Sequence, residues 1–419
     1  MSYKIHYRNF FEVIDYLLVF MLLFAFPLPF LNSAKIAIIL ILFRVLLFKD
    51  VGINVFQILK SKYLFTYLYV IVTFILYTAF LTIFKNEYDF TLFDKQVSSL
   101  IYTILAVVFF SDLSKKYAKV ESLIFFSFFL QSIFIIAAVI SQEFYELTSP
   151  FRIEISSHHF DTYGRLRGNA ISGYQFFGIA SMYGIFILYC IVENKIKGLK
   201  KILMFSLIVI AGMVSGRFVI SAILLGFIVN FLFKLSFKGK IRSLLQIIIS
   251  LLVLLTTLIY TYENISDENL KGKMDFYFMW PIKTYMNSGN FNTSSTDNML
   301  RMYDELEIKN LFSGDGRYTK ENSDGYYGSV DMGYLRMILY YGVFGMIIIF
   351  FIQFLLLNKL LKIPPDRIFI SKLMFLYFLI LNIKGDVLFY NNNVLPLIIG
   401  LIYFTGESKL KKTSQAPSN

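Results

Sequence analysis

The sequence is poor in cysteine, histidine and charged residues, and each shortage narrows the possible functions. Its single cysteine, Cys190, lies inside an apolar run, which excludes a disulfide framework and a cysteine-ligated metal site. With three histidines in the chain, a three-histidine zinc site would need distant segments to meet. The sequence has no phosphate-binding Walker loop, dinucleotide fingerprint or HExxH pattern, so we expect no cofactor and no metal.

Charged residues make up 16% of the chain and hydrophobic residues 57%, with a mean hydropathy of +0.63. Apolar runs of about 20 residues recur along its length, which is typical of transmembrane helices. The alternation of a membrane β-barrel is not seen. The sequence therefore predicts an all-α polytopic membrane protein with about twelve transmembrane helices. The predicted spans are 10–31, 33–48, 63–84, 97–113, 120–141, 173–192, 201–215, 217–235, 243–262, 334–358, 368–388 and 390–406. The pair 201–235 can also be read as one long broken segment.

The net charge of +12 does not indicate a nucleic-acid partner, because lysines and arginines form short clusters between alternate spans. The positive-inside rule produces this pattern. It predicts a cytoplasmic N-terminus, with an uncleaved first helix, and a cytoplasmic C-terminal tail over 407–419.

The predicted organisation is nine spans within 1–262, a large outer loop over 263–333 and three spans within 334–406. A second long outer loop covers 142–172. Serine, threonine and asparagine are dense at 287–298, which indicates a flexible link. Apolar residues at near-helical spacing predict a short helix near 299–311, ended by Gly314 and Gly316.

Arginines in the outer segments are the leading candidates for ligand binding. Arg217 follows a Ser-Gly pair at the edge of a span, where it is either an interfacial anchor or a cation facing a substrate path. Arg301 either pairs locally with Asp304 and Glu305 or offers its guanidinium to a phosphate or diphosphate.

Two further arginines share a spacing. Arg167 precedes Gly178 by eleven residues, and Arg317 precedes Gly328 by the same interval, in the two long outer loops. Arg165 stands beside Arg167 in the run GRLRGN. Each of these three arginines is either a solvated loop charge or part of a cationic site.

A general base is needed if a sugar hydroxyl or water is the nucleophile. Asp331 is the first candidate because it lies at the entry to the span 334–358, although it could equally cap that helix. The other candidates on the outer side are Asp161, Asp315, Asp324, Glu305, His158 and His159.

Three stretches together resemble the O-antigen polymerase and O-antigen ligase superfamily. They are Ser215-Gly216-Arg217, LRMYDELEIKNLFSGDG at 300–316 and DMGYLRMILYYGVFG at 331–345. The paired arginine–ten–glycine spacings resemble the polymerase branch. The resemblance covers most of the chain by its layout of spans and loops, and about forty residues by motif.

The resemblance implies a GT-C-like, inverting-type glycosyltransferase of the bacterial inner membrane with a periplasmic active site. Donor and acceptor would be undecaprenyl-diphosphate-linked oligosaccharides, and the growing glycan would pass to the non-reducing end of a new repeat unit. Arg217 and Arg301 match family positions that hold the diphosphate, and Arg167 and Arg317 match the paired motif. The resemblance leaves room for a chain-length regulator as a further partner.

Two alternatives stay open. An O-antigen ligase would carry a histidine in a pattern like His-Asn-Ser-Tyr-Leu, where this chain has Asp331-Met332-Gly333-Tyr334-Leu335. The missing histidine argues against a ligase. A transporter or lipid-linked glycan flippase would concentrate charge within its spans, whereas this sequence concentrates it in outer loops.

Overall fold

A computed structural model describes most of the chain. The described residues are 2–48, 56, 58, 60–85, 87–117, 120–153, 170–173, 176–193, 195–196, 198–234, 294–306, 308–320, 325–387 and 392–405, with isolated positions between 263 and 289.

Regular structure in these residues is helical, apart from two isolated β-bridges that join Arg152 to Ser172 and Thr319 to Tyr326. This confirms the all-α prediction. The helices are numbered here in chain order as α1 (Ser2–Phe24), α2 (Ser33–Leu47), α3 (Lys62–Phe84), α4 (Thr91–Lys116), α5 (Val120–Ile140), α6 (Gln142–Leu147), α7 (Phe177–Val192), α8 (Leu199–Ser215), α9 (Val219–Val229), α10 (Ser294–Glu305), α11 (Gly333–Asn358), α12 (Ile368–Asn382) and α13 (Val394–Tyr403).

Four of the described helices, α3, α4, α5 and α11, are long and apolar enough to cross a membrane. The helices α7 and α13 are apolar but shorter. A helix lies in every predicted span that falls within the described residues, whereas the span 243–262 lies outside them. The fold is thus compatible with a membrane protein.

One predicted boundary is corrected by local backbone chemistry, and the prediction of two separate spans, 201–215 and 217–235, is confirmed in the described residues. The first span was expected to reach residue 31, but α1 ends at Phe24, because Ala25 adopts a left-handed φ of 43° and two prolines follow. The segment 201–235 forms two helices with a turn at Gly216–Phe218 rather than one long segment.

Helix α7 lies at the centre of the packing, with contacts to α8, α9, α12 and α13. Its side chains are buried along nearly the whole length. The rings of Phe128 and Phe186 stack at a centroid distance of 4.3 Å, and the hydroxyls of Ser132 and Tyr183 share a 3.0 Å hydrogen bond.

Connections gather at two opposite ends of the bundle. At the lysine-rich end, which holds the connections near 117, 195 and 363, Lys195 pairs with Glu121 at 2.7 Å and Arg367 with Glu193 at 2.6 Å. These contacts join connections that the lysine pattern predicts on one side. We call the other end the loop end; it gathers residues 85, 87–90, 308–320, 325–332 and 383–387.

At the loop end, the segment 311–316 fills a break in α11. Gly342 has φ 69° and ψ −176°, which interrupts the helix. The Asp315 and Gly316 amides donate to the carbonyls of Leu339 and Tyr340 at 2.6 and 3.1 Å. The Val343 amide donates to the Leu311 carbonyl at 2.9 Å. Backbone groups that lose helical partners at the break are therefore satisfied by the loop.

Glycine is required on both sides of this junction. Gly314 has φ 67°, and a Cβ there would lie 2.2 Å from the Tyr340 carbonyl oxygen. A Cβ on Gly342 would lie 2.1 Å from the Phe312 carbonyl oxygen. The two backbones can approach this closely only without side chains.

The large loop differs from its prediction in two ways. The short helix was expected near 299–311 and covers Ser294–Glu305, so part of the stretch 287–298 predicted as a flexible link is helical. Gly314 and Gly316 do not end this helix, because they lie beyond it and hold the loop in the break of α11.

We predict that Gly314→Ala lowers the free energy of unfolding by more than about 2 kcal/mol, through left-handed backbone strain and overlap with Tyr340. Gly325→Ala is the matched control, because its nearest contact in the same loop would be 3.6 Å away. Thermal unfolding of the detergent-purified protein measures both. Equal midpoints for the two variants would contradict the docking of this loop.

Candidate functional site

Asp89 anchors the loop to the helices at the loop end. It lies two residues before α4, and its Oδ1 accepts from the Thr91 amide at 3.1 Å. Its Oδ2 accepts from the Tyr318 amide at 2.8 Å, the Thr319 amide at 2.6 Å and the Thr319 hydroxyl at 2.9 Å. Burial acts to raise the pKa of Asp89, but these hydrogen bonds outweigh it and lower that pKa below its ordinary value.

Arg336 is the cation that the fold buries at this end. Arg336 is 8% exposed and lies near the start of α11. The guanidinium donates to the Val330 carbonyl through Nε at 2.9 Å and pairs with Asp331 Oδ1 at 3.2 Å. It also lies 3.2 Å from the centroid of the Tyr326 ring. A buried arginine with these partners is held in one orientation.

Two tyrosines join Arg336 to a second cation, Lys95. The rings of Tyr318 and Tyr326 meet edge to face at 5.6 Å, and the Lys95 ammonium lies 4.6 Å from the Tyr318 centroid. We call Lys95, Tyr318, Tyr326 and Arg336 the cation–aromatic cluster. Cations over aromatic faces are stabilised most when water is excluded.

Asp386 supplies negative charge to this cluster. It is 3% exposed, and its field acts on Lys95, Arg336 and Tyr318. Burial, with the Asp386 charge as a further cause, raises the pKa of the Tyr318 hydroxyl. That hydroxyl lies beside Arg336 and has no hydrogen bond of regular geometry within the described residues.

Asp331 presents its carboxylate to solvent at the edge of the cluster. Its side chain is 65% exposed while the guanidinium beside it is buried. The alternative role as a helix cap is wrong, because Met332 occupies the cap position of α11 and makes no side-chain cap bond. The ion pair with Arg336 instead fixes an accessible carboxylate at the mouth of the bundle.

Arg317 is engaged by the loop itself. It pairs with Glu87 at 3.3 Å and donates through Nε to the Thr319 carbonyl at 3.0 Å. Its side chain is 16% exposed. In this structure Arg317 therefore joins the loop to the connection between α3 and α4.

Arg301 is exposed on α10, next to the start of α11. The opposite face of α10 packs Met299, Met302 and Leu306 around Val330, Met332, Leu335 and Leu339. Within the described side chains no ion pair joins Arg301 to Asp304. The Glu305 side chain, the other partner that the sequence suggests, lies outside the described residues. Arg301 is exposed on the helix whose apolar face packs against Val330 and Met332, the neighbours of Asp331.

Arg217 reaches the same end through a chain of contacts. The adjacent Phe218 packs edge to face on Phe177 at 6.2 Å. A Cβ on Gly385 would lie 2.7 Å from the Phe177 ring, and one on Gly333 would lie 2.6 Å from the Gly385 backbone. The exposed Arg217 therefore lies on the turn that neighbours the beginning of α11.

The two glycines of the paired spacing have structural roles. Gly178 is buried in the first turn of α7, and its carbonyl accepts from the Ser181 hydroxyl at 2.8 Å. Gly328 has φ 66° in a turn against Leu306 and Leu339. Their partner arginines differ: Arg317 is described above, whereas Arg165 and Arg167 lie outside the described residues.

Among the other candidate bases, Asp315 accepts a 2.6 Å hydrogen bond from the Asn310 side chain beside the α11 break. Asp161, Asp324, His158, His159 and the side chain of Glu305 lie outside the described residues. Within the part that is described, no cluster of three histidine, cysteine or carboxylate side chains could hold a metal ion.

Sequence reasoning missed the cation–aromatic cluster. Arg336 lies inside the predicted span 334–358. An arginine within an apolar span usually indicates a functional site, so Arg336 could have been identified from the sequence. Lys95 and Asp89 gave no such signal. Their role depends on contacts with Tyr318 and Thr319, more than two hundred residues away in sequence.

Comparisons with known proteins give no match: no family model fits the chain, and no curated protein or solved structure is significantly similar to it.

We predict that Asp89 makes the stability of the docked loop depend on acid. Because its pKa is lower in the folded protein, its stabilisation is present above the ordinary value of 3.8 and is lost as pH falls through the folded pKa. At neutral pH, Asp89→Asn should lower the free energy of unfolding. At acidic pH, the free energy of unfolding of the variant should fall less steeply than that of the wild type. Thermal unfolding across this range measures the effect, and the exposed Asp94→Asn is the control. The prediction would be contradicted if acid lowered the stability of wild type and of Asp89→Asn by the same amount.

Proposed function

We propose that this chain is an O-antigen polymerase, a glycosyltransferase that extends undecaprenyl-diphosphate-linked glycan on the periplasmic side of the bacterial inner membrane. The bond between the anomeric carbon of the growing glycan and its diphosphate breaks, and a bond to a hydroxyl at the non-reducing end of the acceptor repeat unit forms. Undecaprenyl diphosphate leaves, and the hydroxyl proton passes to a base. Attack opposite the leaving group makes the reaction inverting.

One observation carries this proposal: exposed Arg217 and Arg301 lie at the same end of the bundle as the accessible carboxylate of Asp331. Guanidinium groups suit a diphosphate, and cations that stabilise charge developing on the leaving group lower the barrier. Arg165, Arg167 and Arg317 would extend this cationic surface. The motif resemblance points to the same chemistry.

Asp331 is the proposed base, and Arg336 is a positioning residue. The buried guanidinium holds Asp331 through a 3.2 Å ion pair while Val330 and Tyr326 hold the guanidinium. A base is effective when it is fixed within hydrogen-bond reach of the proton that it removes. Asp331 is accessible to a saccharide arriving from the periplasm.

The proposed topology has about twelve spans in a GT-C-like arrangement, with both termini in the cytoplasm. The separation of a lysine-rich end from the loop end supports this orientation. Donor and acceptor lipids would enter from the membrane, and a chain-length regulator is a further candidate partner.

A lipid-linked glycan flippase or transporter is the second candidate, and one feature favours it. At the lysine-rich end Arg44 pairs with Asp15 and, at 2.8 Å, with Asp112, and all three lie in predicted spans. Buried charge of this kind often marks a transport path. If purified protein lengthens lipid-linked glycan in detergent, a pure transporter is excluded.

Deletion of the gene tests the function directly. Cells without the protein should make lipopolysaccharide capped by a single repeat unit, seen as loss of the ladder on gels. Long chains that persist in a strain with no second polymerase would refute the proposal. A ligase would instead leave polymer stranded on undecaprenyl diphosphate.

We predict that Arg217→Ala and Arg301→Ala each reduce glycan extension by about a hundredfold or more, because each removes a cation from the leaving diphosphate. The control is Lys309→Ala, an exposed cation of the same loop. Extension is measured on purified variants at matched protein levels. Wild-type rates in both arginine variants would remove the diphosphate-binding role.

We predict that Asp331→Asn reduces kcat by about 10²- to 10⁴-fold while leaving thermal stability close to wild type, because the lost group is an exposed general base. Asp304→Asn, an exposed carboxylate on α10, is the control. An Asp331→Asn enzyme with unchanged kcat would move the base role to another residue.

A further inference from the structure

The docked loop contains a hairpin that reaches from Asp89 to Arg336. Thr319 and Tyr326 pair in an antiparallel bridge. The Tyr327 amide donates to the Tyr318 carbonyl at 2.9 Å, beside that bridge. A displacement of one arm therefore displaces the other. We call the two described arms, 317–320 and 325–327, the hairpin.

The first arm is anchored to the connection between α3 and α4. Asp89 Oδ2 accepts from the Tyr318 and Thr319 amides at 2.8 and 2.6 Å, and from the Thr319 hydroxyl at 2.9 Å. Arg317 on the same arm pairs with Glu87 at 3.3 Å. Hydrogen bonds to an ionised acceptor are stronger than those between neutral groups, so Asp89 is the main anchor of this arm.

The second arm carries an aromatic ring to the buried arginine. The guanidinium carbon of Arg336 lies 3.2 Å from the centroid of the Tyr326 ring, over its face. The Tyr318 ring meets Tyr326 edge to face at 5.6 Å, so the first arm also supports this ring. A cation over an aromatic face is attracted by the ring, and this contact restrains the guanidinium.

The turn after Tyr326 is strained in a way that keeps its ring in place. Gly328 and Ser329 have left-handed φ values of 66° and 57°, and the Ser329 amide donates to the Tyr326 carbonyl at 2.9 Å. A residue other than glycine persists in this conformation where the surrounding contacts hold it. The turn brings the chain back to Val330, so that the Tyr326 ring and the Val330 carbonyl both reach Arg336.

The partners of Arg336 connect it to different parts of the fold. Val330 and Asp331 precede it by six and five residues, so they relate the guanidinium to the start of α11. Tyr326 relates it to the hairpin and hence to the connection before α4. Within the part of the chain that is described, Arg336 is the protein partner of the Asp331 carboxylate, whose side chain is 65% exposed.

From these contacts we infer that Tyr326 and Asp89 are positioning residues for the proposed reaction. Asp89 holds the hairpin, and the hairpin places Tyr326 on Arg336. Arg336 in turn holds the carboxylate of Asp331. The inference rests on the proposed function for the role of Asp331 as the base. A base that shifts out of hydrogen-bond reach of its proton loses its effect, so contacts far from the substrate control the rate.

The kinetics of two Tyr326 variants test its role. Tyr326→Leu should lower kcat for glycan extension by about tenfold per folded protein and leave KM unchanged, because the base is misplaced while the cations for the diphosphate remain. Tyr326→Phe keeps the aromatic face and should restore kcat to within about twofold of wild type. Tyr69→Leu, at an exposed tyrosine of α3, is the control. A wild-type kcat in Tyr326→Leu, or a change in KM alone, would overturn the role of Tyr326.

A double variant tests the connection to Asp89. Asp89→Asn should also lower kcat, whereas the exposed Asp94→Asn should not. If both residues act through the same contacts, Asp89→Asn with Tyr326→Leu should lose about tenfold, as Tyr326→Leu does alone. Losses that multiply to about a hundredfold would show independent effects and overturn the connection.

Fluorescence tests the same contacts without turnover. The chain has one tryptophan, Trp280, so Tyr326→Trp in a Trp280→Phe background places a single fluorophore beside Arg336. Adding Asp89→Asn should shift the emission to longer wavelength, because the ring leaves its half-buried place, whereas adding Asp94→Asn should not. Emission that is unchanged by Asp89→Asn would overturn the inference.

The two kinds of measurement separate the two proposals. If the emission responds to Asp89→Asn in a protein that never extends glycan, the contacts from Asp89 to Arg336 stand and the polymerase is refuted. If the wild type extends glycan and Tyr326→Leu does so at the same kcat, the positioning role alone is refuted.

Discussion

The loop end depends on one constraint: backbone groups that lie among apolar helices must have hydrogen-bond partners. The break at Gly342 strands the carbonyls of Leu339 and Tyr340 and the amide of Val343, and residues 311–316 satisfy all three. Irregular backbone among apolar helices is stable only when protein supplies these partners. The break isolates the segment 333–341, about 13 Å long, as a separate helical piece. Arg336 and Asp331 are carried by that piece and its entry.

Two charged side chains, buried Arg336 and partly buried Asp89, reinforce this arrangement because each has several defined partners. Arg336 has a carbonyl, a carboxylate and an aromatic face, and Asp89 accepts from three amides and one hydroxyl. Loss of a hydrogen bond to a charged group that is shielded from water would cost about 1.5–3 kcal/mol, whereas solvent compensates for loss of the exposed Asp331 carboxylate. These contacts bind the loop to α11 and to Asp89, two residues before α4. Arg317 with Glu87 adds a further connection to the same contacts.

Apolar runs were enough to locate the long helices of the described residues, because a run of apolar residues in a membrane must satisfy its backbone internally. They did not predict the short helix Gln142–Leu147. They could not find the break at Gly342, since YYGVFG reads as continuous helix until Phe312 and Ser313 are brought against it. For the same reason Gly314 and Gly316 were read as a local helix stop. Arg217 and Arg301 were identifiable from sequence as exposed cations. Lys95, Tyr318 and Tyr326 were not, because their pairing exists only after the loop docks.

The loop end separates a cation that the fold holds from cations that it exposes to solvent. Arg336 is 8% exposed and is engaged by Val330, Asp331 and Tyr326, whereas Arg217 and Arg301 are exposed. In the proposed polymerase the exposed arginines could meet a diphosphate, whereas Arg336 would first have to give up its partners. Arg336 would then contribute by fixing the carboxylate of Asp331 at the end of the bundle where the exposed cations lie.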